Sequence, residues 1–289
     1  MRTIKQELFL ILAWAVAALV VLFIGLWGFG IWYGEWIGYN ASWKVSDGGG
    51  NNAKINFCNI AVVSINGDII TIDGATTAEG EEAPPTTNAD DMIALLRAAE
   101  ADPRVLGVIV NIDSLGGTPV ASELIANALK SLSLPTVALI REFGTSGGYL
   151  VATGADTIIA SPFSDVGSIG ITLSYLEYWE KNAKEGLRFV SLSSGKYKDY
   201  GNPGKPLTAD ERALLERDLK IYHDQFVKEV AENRNLSFED VAKLADGSSM
   251  PGELALQNKL IDSLGDQETA RAWFAGRLGK SSEEIIFCE

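Results

Sequence analysis

The six residues Gly144-Thr145-Ser146-Gly147-Gly148-Tyr149 place a hydroxyl nucleophile among small neighbours, after an apolar run at 136–140 and ahead of a second at 150–152. In α/β enzymes a serine at a strand-to-helix turn is presented in this way, because glycines permit the tight turn and leave Oγ accessible. The pattern is not the G-x-S-x-G elbow, and a serine here suits an ordinary helix cap equally well. What separates the two readings is whether the chain also supplies a base and a loop that binds an anion.

Bases are few. His223 is the one histidine, and it falls inside a long helical pattern beside an apolar stripe, where an imidazole is more often packed than catalytic. A Ser-His-Asp triad is therefore disfavoured, which leaves lysine, as in the Ser-Lys variants. A lysine accepts a proton only when neutral, so it must be locally dry and clear of carboxylates. The stretch Ser193-Ser194-Gly195-Lys196-Tyr197-Lys198-Asp199-Tyr200 offers two lysines in a loop bounded by glycine and proline. Spacing does not choose between Lys196 and Lys198. For the anion, Gly116-Gly117 follows the strand-like run 109–113. Adjacent glycines leave backbone N–H groups unobstructed, which suits a developing oxyanion, although alone they also read as a turn.

The elements that must position these groups have an α/β pattern. Apolar runs at 60–65, 105–110, 136–140 and 157–160 predict strands, with a helix opening at Asp90 on Met92, Ile93, Leu95 and Leu96, another over 120–132 and a third behind Ser146. Strands apolar throughout and separated by helices indicate stacked β-α units with both sheet faces covered, and a site at the carboxyl ends of the strands. Residues 74–90, with Glu79, Glu81, Glu82 and Pro84-Pro85, read as an exposed loop. A helix is predicted over 208–233 with an apolar stripe at Leu215, Leu219, Tyr222, Phe226 and Val230, followed by short helices over 236–244, 252–260 and 268–278.

Ahead of this domain, no charged residue occurs between Glu7 and Glu35. Roughly 20 apolar residues cross a bilayer, and Trp27, Trp32, Tyr33 and Trp36 crowd the far end as interfacial rings do. We expect a retained transmembrane anchor over 8–34, a short cytoplasmic N-terminus over 1–7, a glycine-rich tether over 35–54 and a folded domain over 55–289. Arg2 and Lys5 before the span predict that the domain lies outside the membrane it is tied to. There Cys58 and Cys288 have two readings, a staple between the first strand and the C-terminus or two small buried apolar residues. A net charge of −14 argues against nucleic acid as a partner.

Five ordered motifs then resemble a known family. Asp113-Ser114-Leu115-Gly116-Gly117, Thr145-Ser146-Gly147-Gly148-Tyr149, Gly167-Ser168-Ile169-Gly170, Ser194-Gly195-Lys196-Tyr197-Lys198-Asp199 and the tail over 245–262 follow the order seen in signal peptide peptidase A, in its short, single-repeat form. The resemblance implies a Clp protease/crotonase-like fold with a C-terminal helical region and one N-terminal transmembrane helix. It implies Ser146 as nucleophile, Lys198 as general base, Ser168 as the hydroxyl that orients the lysine, and an oxyanion hole drawn from Gly116, Gly117 and the Ser146 amide. No metal or cofactor is implied. The partners implied are peptides, signal-peptide remnants among them, the lipid bilayer, and further copies of the chain in a ring where serine and lysine come from adjacent subunits. The setting implied is a bacterial-type cytoplasmic membrane, spanned once, with the catalytic domain extracytoplasmic.

One departure stands out, since the family usually carries Asn-Ser-Pro-Gly-Gly where this chain has Asp113 and Leu115. The resulting expectation is a membrane-anchored serine endopeptidase acting on extended apolar peptides. A catalytically silent tethered scaffold and a related quality-control peptidase stand as alternatives. A crotonase-type acyl-CoA enzyme fits poorly, because an extracytoplasmic domain lacks access to CoA.

Overall fold

The computed structural model describes residues 58–72 and 85–288. The expected anchor over 8–34, its flanks over 1–7 and 35–54, and most of the 74–90 loop lie outside those residues. Among the described residues no helix is long and apolar enough to cross a membrane.

The elements run β1 (Ile60–Ile70), β2 (Thr86–Asn88), α1 (Ala89–Ala101), β3 (Gly107–Gly117), α2 (Pro119–Lys130), β4 (Thr136–Thr145), α3 (Gly147–Ala152), β5 (Thr157–Ala160) and β6 (Asp165–Gly167). They continue as α4 (Trp179–Lys184), α5 (Ala209–Arg234), α6 (Phe238–Leu244), β7 (Ser249–Pro251), α7 (Gly252–Gln257), β8 (Ser263–Leu264), α8 (Gln267–Leu278) and β9 (Phe287–Cys288). The main sheet has the order β2-β1-β3-β4-β5-β8, and every pair along it is parallel. The α/β expectation holds, with parallel strands reading as continuous apolar runs because helices cover them.

The period of two along each strand divides the core. Val108, Val110 and Ile112 of β3 face a large cluster with Leu96 of α1, Ile125 and Leu129 of α2, Tyr149 of α3 and Val227 of α5. Ile109 faces the other way, with Ile60, Val137, Leu139 and Ile159, against Ala270 and Phe274 of α8.

Three differences from the sequence reading bear on function. β3 and β4 run on to Gly117 and Thr145, so Gly116-Gly117 and Gly144-Thr145 are strand extensions, whereas Gly147 and Gly148 open α3. These extensions lack apolar runs, and they pair through irregular register between Ile112 and Ser114. The stripe on α5 is half used, since Phe226 and Val230 are buried whereas Tyr222 is 51% exposed. Its N-terminal half carries a capping box at Thr208 and projects beside the segment 171–207, whose own apolar residues Leu176, Leu187, Val190 and Leu192 are exposed. β2 lies inside the expected 74–90 loop and pairs with β1 at Asp68↔Thr86. Cys58, just before β1, and Cys288 of β9 are joined by a disulfide, the first of the two readings.

Candidate active site

The extension of β4 sets the position of Ser146. Gly144 pairs with Ser114 of β3, Thr145 pairs with Gly167 of β6, and the Ser146 N–H donates to the Gly167 carbonyl at 2.7 Å. The chain then turns into α3 with Ser146 at φ 50° and ψ −122°, a conformation rare outside glycine. No side-chain hydrogen bond caps α3 from Ser146, so the plain helix-cap reading of this serine is set aside. Strain of this kind persists only where surrounding structure imposes it, and here three strands do so.

Glycine is required at two places. A Cβ on Gly116, which has φ +126°, would stand 2.9 Å from Ser146 Cβ and 3.0 Å from Gly147 N. A Cβ on Gly147 would meet Ser122 Oγ at 2.3 Å and Gly117 N at 3.2 Å. Close approach of the two glycine motifs is what these distances record, and it brings backbone amides beside the serine.

The expected oxyanion set of Gly116, Gly117 and Ser146 is redrawn by where each N–H goes. That of Ser146 is used on Gly167, and that of Gly116 donates to Ser114 Oγ at 3.1 Å. Thr118 N–H turns to β1 at the Ile69 carbonyl, so the alternating pleat points Gly117 N–H the other way, toward the Ser146–Gly147 turn. Gly147 N–H is the first amide of α3 and has no intrahelical acceptor. Gly117 and Gly147 therefore carry the amides beside Ser146 that have no acceptor among the described residues. The missed signal was topological, because only the pleat and the helix start say which amides are already engaged.

Ser114 fixes this loop without the proline that the resembled family has. Its buried hydroxyl donates to the Gly67 carbonyl at 2.6 Å and accepts from Gly116, while Thr145 Oγ1 donates to the Leu115 carbonyl at 3.2 Å. Ser114→Ala leaves the Gly67 carbonyl and the Gly116 amide without the Ser114 hydroxyl, which at about 1–3 kcal/mol per orphaned group should lower stability in urea unfolding by about 2–6 kcal/mol. Asp113 points to the opposite sheet face, where Oδ1 accepts from Phe143 N–H at 3.2 Å in a cavity shared with Arg141 and Glu142.

In front of Ser146 lies a mostly apolar pocket of about 200 Å³. Gly117, Ser146 and Gly147 line one end, with Val120, Leu150 and Phe226 among its walls. Ser168, directly after the Gly167 that anchors Ser146, sits at φ 50°, and its Oγ donates to the Gly247 carbonyl at 2.9 Å.

The two lysines differ. Lys196 Nζ is bound to Asp210 Oδ2 at 2.9 Å and lies 4.8 Å from the Tyr197 ring centroid. Hydrogen bonding to Tyr197 and then to Asp210 pushes its pKa up, which holds it as an ammonium. Lys198 Nζ has no hydrogen bond or ion pair among the described residues, and it does not line the Ser146 pocket. His223 Nε2 is engaged with the Ala245 carbonyl at 2.8 Å, and His223 does not line the pocket beside Ser146. One chain thus brings together Ser146, the Gly116-Gly117 turn and the Ser168 turn, and leaves Lys198 on the exposed segment 171–207. Among the described residues no cluster of His, Cys, Asp or Glu is arranged to hold a metal.

The model for peptidase family S49 matches residues 128–279. A putative protease of Methanocaldococcus jannaschii, MJ0651, is 33% identical over 241 residues, which is 83% of this chain and 74% of that protein. A putative signal peptide peptidase SppA from Enterococcus faecium is 31% identical over 186 residues, 63% of this chain and 54% of that protein. Among solved structures, a ClpP1 mutant from Listeria monocytogenes aligns with 71% of this chain and 91% of its own at a TM-score of 0.46 and 14% identity.

Proposed function

The chain belongs to peptidase family S49, and from that premise we propose that it is a serine endopeptidase in which Ser146 attacks the peptide carbonyl and Lys198 is its general base. The observation that carries the reading is Ser146 itself, strained at φ 50° at the mouth of an apolar pocket, with the Gly117 and Gly147 amides beside it. In the first step the serine proton passes to the neutral lysine amine as Oγ bonds to the carbonyl carbon. The resulting oxyanion takes hydrogen bonds from Gly117 and Gly147, and the lysine returns the proton to the leaving amine. Water then repeats the sequence on the acyl-enzyme.

Two observations support a base from a neighbouring copy. Lys198 lies on a segment with exposed Leu176, Leu187, Val190 and Leu192, and the pocket in its own chain is lined without it. Exposed apolar area of this extent is usual where subunits pack. We place such a ring at a membrane, tied by the uncharged stretch over 8–34, with extended apolar peptides such as signal-peptide remnants as substrates.

A fluorophosphonate applied to the full chain in detergent should label Ser146, identified by mass spectrometry of the tryptic peptide. Labelling should fall steeply in Lys198→Ala, because an unassisted hydroxyl is a weak nucleophile. A folded protein that takes no label would instead support a catalytically silent scaffold.

A further inference from the structure

The pocket beside Ser146 is mostly apolar, but two carboxylates are among the side chains that line it. It lies between one face of α2, with Val120 and Glu123, and one face of α5, with Gln225, Phe226 and Glu229. Val120 and Glu123 are three residues apart, so Glu123 sits about 4.5 Å further along the helix axis. α2 starts at the Gly117 turn, beside Ser146, so travel along it leads away from the nucleophile. Lys130 Nζ donates to Asn233 Oδ1 at 2.8 Å, which brings the C-terminal ends of α2 and α5 together. Glu123 from α2 and Glu229 from α5 thus line the same pocket from its two walls.

Neither carboxylate has a cationic partner among the described residues. Glu229 Oε1 accepts from Gln225 Nε2 at 2.7 Å, which orients it without neutralising it. The nearby cations are engaged elsewhere, Lys130 with Asn233 and Lys228 with Glu232. A side chain entering past Ser146 thus meets both carbon and uncompensated negative charge.

Resting on the reading that Ser146 is the nucleophile, we propose that this pocket receives the residue whose carbonyl is attacked, and that Glu123 and Glu229 select lysine or arginine there. The four-carbon stem of lysine matches the apolar walls, and its ammonium reaches the two carboxylates while keeping contact with water. Specificity is then for a basic residue just before the scissile bond, within an otherwise extended and apolar peptide.

The test compares kcat/KM for fluorogenic peptides that differ only at that residue, with lysine against norleucine, which has the same stem and no charge. Two partly exposed ion pairs should favour lysine by about 10-fold at low salt, and the preference should shrink as ionic strength rises. In Glu123→Gln/Glu229→Gln the lysine-to-norleucine ratio should fall to about 2-fold or less if those pairs are its source. Taking the ratio within each protein cancels any loss common to both peptides. Equal or better turnover of norleucine by the wild type overturns the proposal, as does a ratio unchanged by the double substitution. If no peptide is cleaved and Ser146 takes no fluorophosphonate, the peptidase reading fails on its own. The same peptides carrying a reduced scissile bond then decide the pocket by dissociation constant, and equal affinity for lysine and norleucine overturns it.

Discussion

Equal amounts of Ser146→Ala and Lys198→Ala protein, dissociated and reassembled together, should regain peptidase activity that neither has alone. Each substitution removes a partner that acts as a unit with the other, so each alone should lower kcat by at least about 10⁴-fold. If serine and lysine come from adjacent subunits, an intact site forms wherever a Lys198→Ala copy supplies the serine and a Ser146→Ala copy supplies the lysine. Random pairing at equal amounts makes roughly a quarter of the sites intact in a cyclic assembly. The expected readout is therefore about a quarter of wild-type turnover in the mixture. The geometry gives the reason, since Ser146 is held by β3, β6 and its own strand, whereas Lys198 lies outside the pocket of its own chain. Normal activity in either single variant refutes the dyad. An inactive mixture, with subunit exchange confirmed by mass spectrometry of the assembly, places both residues in one chain.

How far the sequence reveals this site depends on the kind of physics that fixes each part. The strand at 157–160 was readable to the residue because burial on both faces leaves an unbroken apolar run. The helix that opens after Thr208 was readable because its cap and first-turn acids are local signals. Ser146 stood out because glycines on both sides signal an unusual turn. Its backbone was not readable, because φ 50° is imposed by pairing with Gly167, twenty-one positions on. Which amides near Ser146 are already engaged was not readable either, for a related reason. An amide is available only if the ladder and the helix start leave it so, and neither can be counted from composition. Lys196 and Lys198 are indistinguishable by spacing, two residues apart in one loop. Asp210, on a different element, separates them by fixing Lys196 as an ammonium. The carboxylates of Glu123 and Glu229 gave no signal at all, because acids on helix surfaces are ordinary until two helices face the same pocket.

Replacing Cys58 and Cys288 together by serine should lower the stability of the folded domain by about 4–5 kcal/mol, at the upper end of what one disulfide contributes. The size follows from the loop, because the bond joins residues separated by 230 positions and so encloses nearly the whole described chain. Cross-linking acts mainly by restricting the unfolded ensemble, and that restriction grows with loop length. Native contacts at the staple do not depend on the bond itself. β9 pairs with β1 at Ile60↔Phe287 and Ala61↔Cys288, and the N–H groups of Asn59 and Ile60 both reach the Ile286 carbonyl. Peptidase activity at low temperature should therefore be kept while the thermal midpoint falls by roughly 10 °C, given about 2–4 °C per kcal/mol for a domain of this size. Dithiothreitol should produce the same fall in the wild type and none in the double serine variant, measured by circular dichroism. A wild-type midpoint indifferent to reductant would mean that the two thiols are not joined in solution. Persistence of the bond in protein isolated with thiols blocked would in turn support an oxidising, extracytoplasmic setting for the domain, since thiol buffers keep such pairs reduced in the cytosol of mesophiles.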